Sequence, residues 1–304
     1  MKRINKIVSF IILVAVFALP FLSAESSSEK KLIIGGKNFT EQYILPEMAK
    51  ILLEKNGFNV ELKTGVGSTV VRQSLESGQI DLYYEYTGTS YTVYNKQDDK
   101  DIMTDQEKCY EWVKKRDGEK GLVWLDIVQF NNTYTLMMRK EQAKNLGIAT
   151  ISDLGKFINE HNGDLIIGVG PEFYERPDGL KTLMELYDFS VPQDKIKKMD
   201  DSLVYQALKD EKVDVSMGFA TDGRIAAFGF INLVDDRSFF PIYNPAPVVR
   251  REVLKKYPEI RNILKPMSER LTTTEMQRLN AMADIEHKEI SEVALGWLKE
   301  NGLL

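Results

Sequence analysis

Residues 31–86 and 164–219 share one order of predicted elements (strand, helix, strand, helix, strand), and this repeated order is what most constrains the fold. Between Thr40 and Lys55 apolar residues recur at helical spacing, and Pro46 inside that segment predicts a kink or a later helix start. Repeated β-α units build open α/β sheets, so we expect two α/β lobes of similar size. The predicted strands are 31–34, 59–63, 80–86, 164–169, 195–199 and 213–219, and the predicted helices are 40–55, 70–75, 179–187 and 202–209.

The length of 304 residues suits two lobes better than one small domain. From Val253 onwards the sequence is strongly helical, and we expect this region to pack on the first lobe. The first lobe is assigned to residues 25–135 and 240–304, and the second lobe to residues 136–239.

The first 24 residues have the pattern of a secretory signal peptide. Basic residues near the start precede an almost purely apolar run, Ile7 to Leu19, and the small residues Ser23 and Ala24 follow. We expect cleavage after Ala24, which leaves a mature chain that begins at Glu25; an uncleaved anchor is the alternative. Because no cysteine follows the apolar run, no lipoprotein attachment is expected, and the sequence indicates a free periplasmic protein.

Charge and cysteine content exclude some classes of function. With 40 basic against 45 acidic residues the net charge is −5, so we do not expect non-specific binding of nucleic acid. The single cysteine, Cys109, cannot form an internal disulfide and is expected to be a buried apolar residue. We therefore expect a monomer that is stabilised by core packing.

In open α/β sheets, ligands bind beyond the carboxyl ends of the strands. The segments that follow predicted strands are 36–38, 64–68, 85–89, 170–176 and 219–223. They are rich in glycine, hydroxyl and aromatic residues and contain neither histidine nor cysteine. This composition favours binding of a small molecule over catalysis.

Catalytic and metal chemistry have no candidate residues in the sequence. His161 lies in a polar loop and His287 in the helical C-terminal region, so we expect both at the surface rather than beside a nucleophile. The ligand spacing of a metal site is absent, and no cofactor is expected. Segment 65–68 is predicted to be a tight turn in which Ser68 caps the next helix.

Aromatic residues point instead to a site for a cation. Residues 83–91 contain several of the 13 tyrosines, and Tyr134 and Tyr243 lie in two further candidate segments. A quaternary ammonium group has no N–H to donate, but aromatic faces attract it by about 0.5–2 kcal/mol per contact.

Six motifs occur in order along the chain: 37–42 (KNFTEQ), 85–89 (EYTGT), 130–134 (FNNTY), 176–179 (RPDG), 220–223 (ATDG) and 245–249 (PAPVV). Together they resemble the osmoprotectant-binding proteins of ABC importers for glycine betaine, choline, carnitine and related compounds, over residues 31–304. The resemblance implies a two-lobed periplasmic-binding-protein fold (type II-like) with a hinge between the lobes, and ABC permease subunits as partners. It also implies a non-enzymatic role.

The resemblance further implies an aromatic cage for the cation. Tyr86, Tyr134 and Tyr243 would form three of its walls, and Phe219 the fourth. The family often has tyrosine at the fourth position, so Phe219 keeps the aromatic face but lacks a hydroxyl.

The carboxylate of a betaine would be bound by Lys37 and Arg176, with a hydrogen bond from Thr89. The planar guanidinium fork of arginine matches a carboxylate. A hydroxyl at position 89 favours a ligand with its own carboxylate over choline. Choline, carnitine and an aromatic betaine such as ergothioneine remain alternative ligands, and a periplasmic enzyme or a sensor that has lost transport remain alternative classes.

Overall fold

The structure is a computed structural model that describes residues 30–304, so the predicted signal peptide and its cleavage site lie outside the described residues. The strands are β1 (Lys30–Lys37), β2 (Phe58–Val66), β3 (Leu82–Tyr86), β4 (Leu122–Trp124), β5 (Tyr134–Arg139), β6 (Ile167–Val169), β7 (Ile196–Lys198), β8 (Val215–Phe219), β9 (Phe230–Asn232) and β10 (Pro245–Arg250). The helices are α1 (Glu41–Lys55), α2 (Ser68–Glu76), α3 (Thr87–Thr89), α4 (Lys100–Met103), α5 (Gln106–Glu119), α6 (Lys140–Leu146), α7 (Ile151–Glu160), α8 (Pro171–Glu175), α9 (Leu180–Leu186), α10 (Val204–Lys209), α11 (Arg224–Ala227), α12 (Arg251–Lys256), α13 (Ile260–Arg270), α14 (Thr273–Asp284) and α15 (Ile290–Glu300). A π-helical turn, Ser90–Tyr94, continues α3, and a 3-10 turn, Gln193–Lys195, precedes β7.

These strands form two five-stranded mixed sheets with equivalent topology. The first has the order β2-β1-β3-β10-β4 and the second the order β7-β6-β8-β5-β9. In the first sheet β10 pairs antiparallel with β3, and in the second β5 pairs antiparallel with β8. The repeated element order of the sequence therefore corresponds to two lobes, and the two-lobed α/β prediction is confirmed.

The chain crosses between the two sheets twice, and the two crossing segments lie side by side. Asn132 N donates to Tyr243 O at 3.0 Å, and Tyr243 N donates to Asn131 Oδ1 at 2.8 Å. Strand β5 already begins at Tyr134, two residues before the lobe boundary expected from the sequence. Two adjacent crossings are the geometry of a hinge, because a few backbone rotations there can move one lobe against the other.

The first predicted helix is confirmed as α1, but without the late start that Pro46 suggested. The helix begins at Glu41 and continues through Pro46, whose missing N–H leaves the Gln42 carbonyl without its helical donor. A Cβ on Gly36 would lie only 2.5 Å from that carbonyl oxygen, so the glycine lets the first turn of α1 approach the end of β1. This close approach brings Glu41 to the edge of the first sheet.

The predicted turn at 64–68 is shorter than expected, because β2 continues to Val66. Gly65 has a φ of +84°, a conformation that glycine adopts without strain. Gly67 is the N-cap of α2 and Ser68 is its first helical residue, so the prediction that Ser68 caps this helix is wrong.

The helical C-terminal region packs on the first lobe, as predicted. Helices α13 and α15 contact α1. From α14, Asn280 Nδ2 donates to the Thr221 carbonyl at 3.0 Å, so this helix also reaches the segment that follows β8 in the second sheet.

Cys109 is fully buried, and burial raises the pKa of its thiol to about 12, so it remains a neutral apolar residue as predicted. His161 and His287 are exposed. Within residues 30–304, the structure has no helix that is both long and apolar enough to span a bilayer.

Candidate ligand-binding site

The structure brings all seven predicted site residues to one cleft between the two sheets. The cleft contains about 390 Å³ of space between atoms, part of which is open to solvent. The predicted residues that line it are Lys37, Tyr86, Thr89, Tyr134, Arg176, Phe219 and Tyr243.

Strand direction explains why residues so distant in sequence converge. Lys37, Tyr86 and Phe219 are the last residues of β1, β3 and β8, so they lie at the carboxyl edge of the parallel strands. An antiparallel strand begins at the edge where its parallel neighbour ends. Tyr134, the first residue of β5, is therefore paired directly with Phe219, and Tyr243 lies just before Pro245, which pairs with Tyr86.

The aromatic rings form one continuous cluster. The ring centroids of Tyr134 and Phe219 are 5.1 Å apart, and those of Tyr134 and Tyr243 are 5.6 Å apart with nearly perpendicular planes. Phe39, which the sequence analysis did not select, stacks on Phe219 at 5.1 Å and lies 6.1 Å from Tyr86. These separations are those of attractive aromatic pairs, and Phe39 joins the two halves of the cluster.

Two of the tyrosine hydroxyls donate to buried carboxylates. Tyr86 Oη donates to Glu41 Oε1 at 2.5 Å, and Tyr243 Oη donates to Asp178 Oδ2. Burial, and next the neighbouring carboxylate, raise the pKa of each phenol well above its usual range, so both rings stay neutral. Since the pKa of Asp178 is held below its usual range, Tyr243 donates to an anion, which makes its ring more electron-rich and strengthens its attraction for a cation.

Lys37 is buried together with its own counter-ion. Its ammonium lies 2.6 Å from Glu85 Oε1, and the two side chains are 3% and 0% exposed. The same ammonium lies 4.9 Å from the centre of the Tyr86 ring. Of its three N–H donors, Glu85 takes one.

Arg176 is likewise paired within its own lobe. Nε donates to Asp178 Oδ1 at 2.7 Å, Nη2 donates to Oδ2 at 2.6 Å, and Nη2 also lies 3.4 Å from Thr89 Oγ1. Burial alone would raise the pKa of Asp178, but the charge and hydrogen bonds of Arg176 outweigh it and hold that pKa below its usual range. The guanidinium lies 5.4 Å from the centre of the Tyr134 ring, so it borders the aromatic cluster.

These two internal ion pairs were not predicted from the sequence, and neither were several further residues of the cleft. Asn132, Glu172 and Asp201 also line it. Glu172 lies in a strand-end segment that was singled out, whereas Asp201 lies in a short acidic turn that looks like any exposed helix start. Only the packing of α10 beside β6 and β8 brings that turn to the cleft.

Several hydrogen bonds join the two lobes across the cleft, including the following three. Glu41 Oε2 accepts from Thr221 Oγ1 at 2.7 Å, and Glu172 Oε1 accepts from Ser68 N at 2.8 Å. Thr92 Oγ1 donates to Asp178 Oδ2 at 2.9 Å. Burial raises the pKa of Glu41 to about 7, even though four neighbouring side chains donate hydrogen bonds that oppose the shift.

The side chains of the cleft are suited to binding a ligand. It offers neutral aromatic faces, two paired cations with unused N–H donors, and several hydroxyl and amide groups. Within residues 30–304, no group of histidine, cysteine and acidic side chains is arranged to hold a metal ion.

Over nearly its whole length, the chain is similar to known solute-binding proteins. A family model described as the substrate-binding domain of an ABC-type glycine betaine transport system matches residues 30–300. A glycine-betaine-binding protein of Pseudomonas aeruginosa is 43% identical over 287 residues, which are 93% of this chain and 91% of that protein.

Two further proteins show the range of ligands named among the relatives. An ergothioneine transport permease/ergothioneine binding protein of Helicobacter pylori is 34% identical over 97% of this chain, which spans 52% of that longer protein. A crystal structure titled as a glycine betaine/carnitine/choline ABC transporter superposes with a TM-score of 0.72 at 32% identity, covering 90% of this chain and 99% of that one. The protein therefore belongs to the family of substrate-binding domains of ABC-type glycine betaine transport systems, which are solute-binding components of importers and not enzymes.

Proposed function

We propose that this protein binds a small zwitterionic quaternary ammonium compound, glycine betaine or a close relative, in the cleft between its lobes. The observation that carries the proposal is the convergence of four aromatic side chains and three anion-binding side chains, contributed by both lobes, on one cleft. The two sets suit the two ends of a betaine.

The cationic end is assigned to the aromatic cluster. Tyr86, Tyr134, Phe219 and Tyr243 supply faces that attract a quaternary ammonium group, and Phe39 extends the same surface. A cation without N–H groups gains little from hydrogen-bond acceptors, whereas a ring held in place by packing attracts it without reorganisation.

The carboxylate end is assigned to Lys37, Arg176 and Thr89. Each cation already has a carboxylate partner, so the pocket gains no large free positive charge from them. A guanidinium has five N–H donors, and Asp178 occupies two of them, so a ligand carboxylate can use the others. Pairing also fixes the direction of these donors before the ligand arrives, which reduces the entropy lost on binding.

Delivery to a permease follows from membership of the family. We propose that a monomer captures the ligand in the periplasm, closes about the two adjacent crossings near Asn132 and Tyr243, and docks on the ABC permease. The interlobe hydrogen bonds of Glu41, Glu172 and Asp178 would form on closure and stabilise the closed shape.

Titration calorimetry of ring variants tests the cation site. Tyr134→Ala is expected to weaken binding of glycine betaine about tenfold or more, because a cation–π contact is worth about 1–2 kcal/mol when desolvated. Tyr134→Phe is the matched control, since it keeps the ring, and its affinity is expected to stay within about threefold of wild type. Equal affinity of wild type and Tyr134→Ala would remove Tyr134 from the cage.

The carboxylate site is tested with two ligands that differ at the anionic end. Arg176→Lys keeps the positive charge but removes the planar fork, so it is expected to weaken glycine betaine more than choline, which has no carboxylate. Equal losses for the two ligands would contradict the anion-binding role of Arg176. If glycine betaine, choline, carnitine and ergothioneine all gave no heat with wild type while an unrelated solute bound, the proposed function itself would be wrong.

A further inference from the structure

A second cavity adjoins the cleft, and we call it the side chamber. It contains about 340 Å³ of space between atoms, part of it open to solvent, and shares Phe39, Asn132, Asp201 and Phe219 with the cleft. Beyond them its walls include Thr221 and Asn280. The aromatic cage therefore opens on one side into further space between the lobes.

Three acceptor oxygens around the side chamber are buried and have no hydrogen-bond partner among residues 30–304: Asn132 Oδ1, Asp201 Oδ1 and Asn280 Oδ1. The side-chain amide groups of Asn132 and Asn280 are held in one orientation by the hydrogen bonds that their nitrogens donate. Asn132 Nδ2 donates to Glu41 at 3.1 Å, and Asn280 Nδ2 donates to the Thr221 carbonyl at 3.0 Å. The atoms left without partners are therefore acceptors, and two of them, on Asn132 and Asp201, belong to residues that line both cavities.

The lack of a side chain at Gly170 leaves room for the Asp201 carboxyl group. Gly170 has a φ of −73°, which any residue adopts, so its backbone does not require glycine. A Cβ at this position would lie 1.6 Å from Asp201 Oδ1 and 2.8 Å from its Cγ. The next residue, Pro171, has no N–H to offer the carboxylate. Because Gly170 has no side chain, the Asp201 carboxyl group can lie in the wall of the cleft. Pro171 offers it no hydrogen-bond donor there.

Glycine betaine cannot satisfy these oxygens. Its trimethylammonium group has no N–H, and its carboxylate only accepts hydrogen bonds. A buried acceptor that stays unpaired costs free energy, whereas an O–H or a ring N–H from the ligand would remove that cost. The acceptors therefore favour a ligand with a hydrogen-bond donor, which glycine betaine lacks.

Building on the proposed function, we propose that the preferred ligand is a quaternary ammonium zwitterion that also carries a neutral hydrogen-bond donor, an O–H or a ring N–H, bound by Asp201 and Asn132 where the cage opens into the side chamber. Asp201 is then a specificity-determining residue. The donor group points towards the side chamber, while the ammonium and carboxylate groups keep the positions assigned above.

The electrostatics of Asp201 agree with this role. Burial, and then the negative charges of Glu172 and Asp200, raise the pKa of Asp201 to about 7, and the charge of Arg176 only partly opposes the shift. A carboxyl group held in this way is destabilised as an anion until a donor reaches it, so a ligand donor gains a stronger acceptor than it would have in water.

Calorimetric titration with four probes tests the inference: glycine betaine, γ-butyrobetaine, carnitine and ergothioneine. Carnitine and γ-butyrobetaine differ by one hydroxyl group, and ergothioneine carries a ring N–H. In wild type we expect carnitine or ergothioneine to bind more tightly than γ-butyrobetaine. Asp201→Ala is expected to weaken that donor-bearing ligand about tenfold or more, and to leave glycine betaine and γ-butyrobetaine within about threefold.

Two further variants separate this effect from charge and from folding. Asp200→Ala removes the same charge one residue away, on an exposed side chain outside both cavities, and is expected to leave all four affinities unchanged within about twofold. Gly170→Ala should displace the Asp201 carboxyl and reproduce the selective loss of Asp201→Ala. Thermal unfolding of each variant verifies that it is folded.

Each remaining outcome overturns the inference. An equal loss for all four ligands in Asp201→Ala would make Asp201 a counter-ion of the ammonium group, and unchanged affinities would mean that no ligand donor reaches it. Tight binding of glycine betaine with no binding of carnitine or ergothioneine would overturn the inference but leave the proposed function standing. Absence of binding by all four probes in wild type would reject both.

Discussion

The two lobes face each other with similar folds, yet their acidic residues behave differently. At the cleft, each lobe buries one acid against its own cation, Glu85 against Lys37 in the first lobe and Asp178 against Arg176 in the second. Three further acids beside the cleft have no cationic partner among residues 30–304, Glu41 in the first lobe and Glu172 and Asp201 in the second, and they differ in the donors that reach them. Glu41 of the first lobe accepts from the side chains of Tyr86, Asn132 and Thr221, whereas Asp201 Oδ1 of the second lobe accepts from none of the described residues.

Under the inference drawn above, Asp201 is the acid that meets the ligand, whereas Glu41, Glu85 and Asp178 are held by contacts within the protein. Neutral donors surround Glu41, which thereby holds the Tyr86 side chain in place and joins the lobes through Thr221. A buried polar atom that a fold leaves unpaired usually has a partner outside the chain or a role in function. Asp201 fits that description, and the paired acids do not.

The largest effect is expected from breaking a buried ion pair. Asp178→Ala leaves the Arg176 guanidinium buried without its counter-ion and should lower the free energy of unfolding by about 3–5 kcal/mol. Urea denaturation at neutral pH measures the loss. The matched control is Glu175→Ala, whose partner Lys181 is exposed, so water screens this ion pair and its loss should change stability little. Similar losses in the two variants would mean that burial does not distinguish the two pairs.

A smaller effect is expected from the titration of Glu41. Because its pKa in the folded chain is about 7 against an ordinary value of 4.5, the folded chain retains a proton that the unfolded chain has released. Stability therefore falls as the pH rises from 4.5 through 7, by about 3 kcal/mol at 1.4 kcal/mol per pKa unit.

Glu41→Gln keeps the shape of the side chain but cannot ionise, so its free energy of unfolding should vary less between pH 4.5 and 7 than that of wild type. Urea denaturation at several pH values measures this dependence. A variant curve parallel to that of wild type would show that another group is responsible.

The only stabilising effect is expected at Asp201. Burial raises its pKa, so the anion destabilises the folded chain most above pH 7, and Asp201→Asn should raise the free energy of unfolding at pH 8. Below pH 3.8 the gain should disappear, because the carboxyl group is protonated in both states.

Its neighbour Asp200 provides a control of opposite sign. Hydrogen bonds from Ser202 lower the pKa of Asp200, so Asp200→Asn should slightly destabilise the chain at neutral pH. Thermal unfolding of both variants side by side is sufficient, and shifts of the same sign would contradict the distinction between the two acids.

Much of the fold was predictable from the sequence because its elements are local. The apolar spacing of residues 40–55 predicted α1, and the helical C-terminal region packs on α1 as expected. The antiparallel strands β5 and β10 were missed, because a strand in mid-sheet has no distinctive spacing of its own. The helix start at Glu41 despite Pro46 depends on the close approach allowed by Gly36, a contact between two elements.

The candidate site was predictable to the extent that it follows strand ends and family motifs. The seven residues chosen in this way line one cleft, and their roles in binding remain the proposal that the calorimetry tests. Phe39 was within one of the quoted motifs but was not selected. Asn132 was likewise within a quoted motif (130–134) but was not selected, and Asp201 had no sequence signal, because an Asp before a helix is an ordinary surface residue in most proteins.

The sequence alone therefore determined the class of the molecule: two α/β lobes, an aromatic-rich and histidine-free set of strand ends, and the resemblance to osmoprotectant-binding proteins. These follow from periodicity and motif order, which can be read directly from the amino-acid sequence. Only the tertiary structure decided which charges are already paired and which acceptors are not. Lys37 meets Glu85 across 48 positions of sequence, and Asp201 meets Gly170 only because α10 packs beside β6. Pairing depends on distances of a few ångströms between residues far apart in the chain, and such distances are set by packing.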